Sequence, residues 1–284
     1  MQKTPTLRTA LLVGGAMLAL CRPARADFIP IDLTPGSFTA DVIVEKTALR
    51  PFNSYTTATM DRGTNNYDQT WFERGFDVFR PTIGIPAAGS TFTAEADVNR
   101  SFKMPPSYTD ANNALLVYSA LPNGTLTVTT PGAYTSLSLL STVAGGNTTI
   151  NFTVHYAGGG TQVGTLGILD WFNQTPIAVT ANGRTSLNDG RINDTYSGNP
   201  RLTYVDIGLT DTVNAVTSID FSSTSGNRVA IFAVSGTTDG TTFTPITVTG
   251  FNHDMVVEAS VTPPRLPLHE GLRDDGRWQH QPHG

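Results

Sequence analysis

The chain is poor in charge, in cysteine and in helical pattern, and each shortage removes a class of function. Only 14% of its 284 residues are charged, and Lys occurs just three times, at Lys3, Lys46 and Lys103. A nucleic-acid partner needs a Lys or Arg for every phosphate it neutralises, so that partner is excluded. The single Cys, Cys21, permits no internal disulfide and no thiolate metal cluster. No Gly-x-Ser-x-Gly and no glycine-rich phosphate loop ahead of a helix occurs. No segment repeats apolar residues at helical spacing over three turns, which sets aside βαβ folds. The run from Ala10 to Cys21 holds 12 residues, whereas a transmembrane helix needs about 20, so no transmembrane segment is expected in the mature chain.

That short run has another meaning. Lys3 and Arg8 precede it and Ala24-Arg25-Ala26 follows, the layout of a secretory signal peptide cleaved after Ala26. A lipoprotein signal on Cys21 is the alternative, but Leu20 stands where such signals carry a small residue. Residues 1–26 are therefore read as a signal peptide and the product as secreted, or held at the cell surface or in the periplasm. Removing Lys3, Arg8, Arg22 and Arg25 leaves 18 − 4 = 14 basic residues against 23 acidic, a net charge of −9.

What is abundant is threonine, 43 residues, with 27 Gly and 18 Pro. Runs rich in Val, Ile, Thr, Phe and Tyr alternate with turn residues. They predict strands at 126–130, 137–140, 149–156, 162–169, 176–180, 202–207, 215–221, 228–234 and 243–249. Asn123-Gly124, Pro131-Gly132, Gly145-Gly146, Gly158-Gly159-Gly160, Asn182-Gly183 and Asp239-Gly240 read as the turns between them. Asn151, Thr153 and His155 alternate with Phe152, Val154 and Tyr156, giving one polar and one buried face. The predicted fold is all-β, a single antiparallel β-sandwich over 27–264. Residues 46–112, interrupted by Pro81, Pro86 and Pro105-Pro106, are read as long loops covering a sandwich edge, and 265–284 as a disordered tail. Phe38 to Glu45 and Phe251 to Glu258 share Phe, Asp, Val and Glu at matching positions and are expected to be neighbouring twin strands.

Three motifs carry a resemblance. Ala133-Tyr134-Thr135-Ser136-Leu137, then Phe152 to Thr161 closing on three glycines, then Asp170-Trp171-Phe172-Asn173 resemble the galactose-binding-like jelly rolls appended to bacterial glycan-active enzymes. With Thr180 to Arg184, Gly198 to Leu202 and Gly250 to Asp254 the chain is also similar to exported bacterial proteins that end in a Pro-Glu-Pro sorting signal. Here Val261-Thr262-Pro263-Pro264 leads instead into a polar tail. The resemblance implies an exported, surface-associated jelly roll of undefined ligand; the partner expected from the candidate residues is a polysaccharide or surface glycan.

The candidate site residues follow from sugar chemistry. Aromatic faces stack on pyranose C–H faces and carboxylates accept hydroxyl protons, which singles out Asp170 with Trp171, and Trp71 with Tyr67. The competing reading places Trp171 in the core and Trp71 in edge packing. Arg184 and Arg201 lie in a loop-rich stretch with Arg191 and several Asn and Asp, suited to hydroxyl recognition or simply to a solvated loop. Glu45 and Glu258 are the candidate metal pair, for a structural calcium if the twin strands bring them together. No other cofactor is implied, and His155 and His253 lack zinc spacing. The function expected is a non-catalytic glycan-binding or surface protein. The rivals are a polysaccharide-active enzyme, which needs two carboxylates at a set separation, and a purely structural adhesin.

Overall fold

The threonine-rich runs form strands where their composition asks. The computed structural model describes residues 27–48, 58–61, 68–109, 111–187 and 191–238. The expected signal peptide, Tyr67, the 243–249 strand, the Phe251–Glu258 twin and the tail lie outside the described residues. Among the described residues there is no α-helix, only a 3-10 turn at Pro35–Ser37. The strands are β1 (Ile29–Ile31), β2 (Ile43–Val44), β3 (Gln69–Phe72), β4 (Thr91–Ala94), β5 (Asp97–Lys103), β6 (Leu115–Val117), β7 (Asn123–Gly132) and β8 (Ser136–Ala144). They continue with β9 (Thr148–Tyr156), β10 (Thr161–Ile168), β11 (Ile177–Thr180), β12 (Arg184–Ser186), β13 (Ile192–Asn193), β14 (Arg201–Gly208), β15 (Val216–Ser222) and β16 (Arg228–Thr237). Pairing is antiparallel except between β2 and β3.

Two sheets make the sandwich. One runs β1-β16-β8-β14-β11, with β6 also on β16, and the other runs β10-β9-β15-β7. Leu137, Leu139, Val229 and Ile231 from the first meet Leu126, Phe152, Val154, Ile219 and Phe221 from the second in one apolar core. In β9 the expected alternation is found, with Phe152, Val154 and Tyr156 buried and Asn151, Thr153 and His155 outward. The β9–β10 hairpin is also found, with Thr161 opposite His155 and Ile168 opposite Thr148. Gly158 and Gly159 make its turn at φ of 90° and 93°, a region that residues with a Cβ avoid.

The larger sheet is buried on both faces. Leu140, Ala144, Leu202, Ala230 and Phe232 point away from the sandwich core into a second cluster with Trp71, Trp171, Phe102 and Met104. A bulge between Ile231 and Ala233 shifts the phase of β16 and places Phe232 and Ala233 in this second cluster together. An apolar second face must be covered, and the described residues between 58 and 109 supply cover through Met60, Trp71, Ile85, Phe102, Met104 and Tyr108. Their role therefore differs from the expected edge loops: they hold β3, β4 and β5 and form a third layer over a sheet face.

Two expected turns are also corrected. Asn123-Gly124 and Pro131-Gly132 belong to the two ends of β7. Gly124 is there for close approach, since a Cβ on it would meet Leu115 Cδ1 at 2.5 Å, and one on Gly132 would meet the Tyr134 hydroxyl at 2.7 Å. Of the first twin segment Ile43 and Val44 form strand β2, which pairs with β3.

Candidate functional site

Short strands β3 and β12 carry the third layer over the central sheet, and the loops between 170 and 201 gather around Arg184 at the head of β12. Its Nε donates to Asp194 Oδ2 at 2.7 Å and its Nη1 to Asp61 Oδ2 at 3.2 Å. The guanidinium carbon sits 5.0 Å from the Trp171 ring centre and 4.8 Å from that of Phe172. A cation over an aromatic face between two carboxylates is held from every side.

Burial pushes the Asp61 carboxyl up to about 6, against the pull of Arg184 and with a further push from Asp170, while Arg228 also draws it down. Asp170 itself is a loop clamp. Its carboxylate accepts the Gly146 and Phe172 amides at 2.8 and 2.9 Å, and its own amide donates to Asn147 Oδ1 at 2.7 Å.

Arg201 opens β14. Its amide donates to the Trp171 carbonyl at 2.7 Å, its Nε to the Gly198 carbonyl at 2.7 Å and its Nη1 to the Gln174 carbonyl at 3.1 Å. Asn173, Asn182, Asp194 and Tyr196 all take left-handed backbone here, with φ between 56° and 59°. Strained backbone persists only where the surroundings over-determine it, and side-chain bonds do so here. Asn199 Oδ1 accepts the Asn173 amide at 2.7 Å and Asn182 Oδ1 accepts that of Gly198 at 3.0 Å. Tyr196 is left 65% exposed at the surface of this cluster.

The structure thus brings together two candidates that the sequence offers separately, Asp170 with Trp171 and Arg184 with Arg201, as one packed unit. Trp71 is fully buried in β3 and Trp171 is 3% exposed, so neither indole offers a free stacking face. Two-sided burial of the central sheet is the physical reason. Tyr67 and Glu258 lie outside the described residues, so the Glu45–Glu258 pair does not arise among them. Among the described residues no three His, Cys, Asp or Glu side chains are grouped to hold a metal ion.

Beside this unit opens a cavity of about 570 Å³ that sequence reasoning missed. Arg228, Tyr118, Asp68, Thr39 and Thr59 supply its polar wall, with Leu116 and Leu187 among its apolar lining. Arg228 Nη1 donates to the Thr59 carbonyl and hydroxyl at 2.7 and 3.0 Å, and its guanidinium lies 5.1 Å from the Tyr118 ring centre. Thr59 ties this wall to the Arg184 cluster by donating its hydroxyl to the Asp61 carbonyl at 2.8 Å. Its parts come from six separate stretches of chain, and no local motif announces them. One charged residue at the first position of the otherwise uncharged β16 was the one signal within the sequence.

A second polar surface lies on the outer face of the four-stranded sheet. Asp220 accepts from Thr125 Oγ1 at 2.6 Å and pairs with His155 Nε2 at 2.7 Å. Burial pushes the Asp220 carboxyl up, but the bonds from Thr125 and His155 outweigh it and hold the group below its usual value. No protein-family profile and no curated protein matches the chain.

Proposed function

We propose that the protein is a non-catalytic glycan-binding β-sandwich of the jelly-roll, galactose-binding-like type, exported and retained at the cell surface or in its matrix. The observation that carries this reading is the cavity of about 570 Å³ beside Arg228, within the size range of small-molecule sites. Its wall combines a guanidinium, a carboxylate, two hydroxyls and a tyrosine ring with aliphatic side chains. A sugar presents the matching mixture of hydroxyls and C–H faces. Binding to a glycan array by the full-length chain tests it. Arg228→Ala and Tyr118→Ala are expected to lower affinity at least about tenfold, the loss of one good contact, with the fold retained. Unchanged binding in both overturns the assignment of the site. Amino-terminal sequencing of the exported product is expected to start at Asp27.

One observation favours polysaccharide cleavage as a second reading. Asp61 is raised to about 6, suited to a general acid, and Asp68 stands in the adjoining cavity wall. Release of reducing ends from a bound glycan, abolished in Asp61→Asn, decides for the enzyme. Binding without release decides for the lectin-like protein.

A further inference from the structure

Among the described residues two aromatic rings stand mostly in solvent, Phe79 at 91% exposure and Tyr196 at 65%. Of the two, Tyr196 alone takes left-handed backbone, at φ 57°. A bulky side chain rarely occupies that region, and a residue persists there only where its surroundings dictate the conformation. They do so here. Asp194, Tyr196 and Gly198 are all left-handed within five residues, at φ of 58°, 57° and 74°. The Tyr196 amide donates to Asn182 O at 3.3 Å, and the Ser197 amide and hydroxyl donate to Asp194 O at 3.2 and 2.7 Å. The Gly198 amide donates to Asn182 Oδ1 at 3.0 Å, and Asn182 is itself left-handed at φ 56°. Two loops in the same uncommon conformation thus fix the tyrosine, and what they achieve is to hold its ring out to solvent rather than to pack it.

The chemistry beside the ring is neutral. Arg184 is paired with Asp194 and Asp61, and Arg201 is turned onto the carbonyls of Gly198 and Gln174. What these loops present outward is amide and hydroxyl, with Asn173 and Ser197 exposed and Asn182 half-buried. Asn199 Nδ2 joins them into one surface, donating to Asn173 Oδ1 at 2.9 Å and to Ser197 O at 3.4 Å. An aromatic face beside uncharged donors and acceptors complements a sugar ring, which has an apolar C–H face and a rim of hydroxyls.

We propose that Tyr196 is the stacking residue of a second saccharide subsite, and that the sugar it takes is uncharged. This subsite rests on the glycan-binding reading and narrows it to neutral glycans. It is joined to the Arg228 cavity through Arg184, which bonds Asp194 of the tyrosine loop on one side and Asp61 on the other, where the Thr59 hydroxyl reaches the Asp61 carbonyl. A polyanion is disfavoured twice, because the two arginines of the cluster are already engaged and the chain is net −5. A fixed ring also loses little freedom when a sugar settles on it, so the strain in the loop serves affinity by pre-organisation.

Affinity electrophoresis of the full-length protein through gels containing galactan, xylan or β-glucan, and through gels containing the polyanions polygalacturonate or alginate, tests this. Retardation by at least one neutral polymer is expected, and it should survive about 1 M salt, where charges are screened within about 3 Å. Tyr196→Asn removes the ring and installs a residue that tolerates left-handed backbone. It is expected to lower affinity at least about tenfold, the loss of one good contact, with the melting temperature unchanged or higher. Tyr196→Phe keeps the face and is expected to stay within about threefold of wild type, the loss of one exposed hydroxyl. Wild-type binding in Tyr196→Asn, a melting temperature that falls together with affinity, or retardation by the polyanions alone overturns the proposal. Retardation by no polymer overturns the glycan reading along with it. Weakened binding in Tyr196→Asn with Arg228→Ala indifferent upholds this subsite and removes the cavity assignment instead.

Discussion

Trp71 and Trp171 meet edge to face, their ring centres 5.6 Å apart and their planes at 72°. Residues a hundred positions apart in sequence are thereby joined where the third layer crosses the central sheet. Phe232 meets Trp71 in the same way at 6.3 Å and 87°. Trp71→Ala is expected to cost about 3–5 kcal/mol, the usual loss for deleting a buried aromatic. Trp71→Phe should cost much less. Among the described residues the buried indole Nε1 of Trp71 has no hydrogen-bond partner, so removing it relieves a desolvation penalty of about 1–3 kcal/mol while it opens a small void. Urea denaturation of the two variants checks the order, and equal losses would refute it.

Asp61 gives the pH dependence its sign. Its carboxyl is raised from 3.8 to about 6 in the folded protein, so the folded state holds the proton more tightly than the unfolded chain. The stability it contributes is fully present below 3.8 and is lost as pH rises through about 6. Asp61→Asn lacks that loss. Its melting temperature relative to wild type is expected to climb between pH 4 and pH 7, by an amount worth about 1 kcal/mol after allowance for partial solvent screening. A relative melting temperature that falls over this range would show Arg184 to be the dominant influence instead.

How far the sequence could be read depended on how many faces of a strand are buried. β9 has one wet face, and Phe152, Val154 and Tyr156 announce it by alternation. β8 and β16 are covered on both sides, so their patterns are continuous and say nothing of which layer lies where. From such patterns the third layer reads as loops at an edge, and the sequence leaves Trp71 and Trp171 open between a ligand surface and internal packing. Arg184 and Arg201 are legible as a group because polar residues cluster around them in sequence, and Asp170 is legible beside Trp171. That they grip each other and the loop carbonyls is a tertiary matter, as is the Arg228 cavity built from distant segments. Gly124 shows the same limit in a turn signal, since its lack of a Cβ serves Leu115 and not a bend.

Two glycines on one strand should respond differently to the same substitution. A Cβ on Gly164 would lie 2.6 Å from Phe152 Cζ and 2.7 Å from Cε1, whereas one on Gly167 meets nothing within 4 Å. Gly164→Ala is expected to destabilise by about 1–3 kcal/mol through overpacking. Gly167→Ala, on the exposed face, is expected to be neutral or stabilising by a few tenths, about 0.5 kcal/mol, as strand entropy is recovered. Parallel thermal melts compare them, and equal losses would place the cause in the edge strand itself rather than in the Phe152 contact.

Arg100 tests whether a planar cation is required or only a positive charge. Its guanidinium carbon lies 4.0 Å from the Phe28 ring centre and 4.5 Å from that of Tyr204. Two of its nitrogens reach the two Asp206 oxygens at 2.6 and 2.7 Å, one of them also reaches Ser138 Oγ at 2.8 Å, and Nε reaches Asp97 at 3.2 Å. Stacking between two rings needs a flat group, and the fork to Asp206 needs two parallel N–H bonds. Lys keeps the charge and loses both features. Arg100→Lys is therefore expected to destabilise nearly as much as Arg100→Met, by about 1–2 kcal/mol, since planar geometry and bidentate bonding outweigh charge at a site covered by aromatic rings. The pair of denaturation curves decides it. If Lys restores wild-type stability and Met does not, the contribution is charge alone, and the stacked geometry between Phe28 and Tyr204 is incidental.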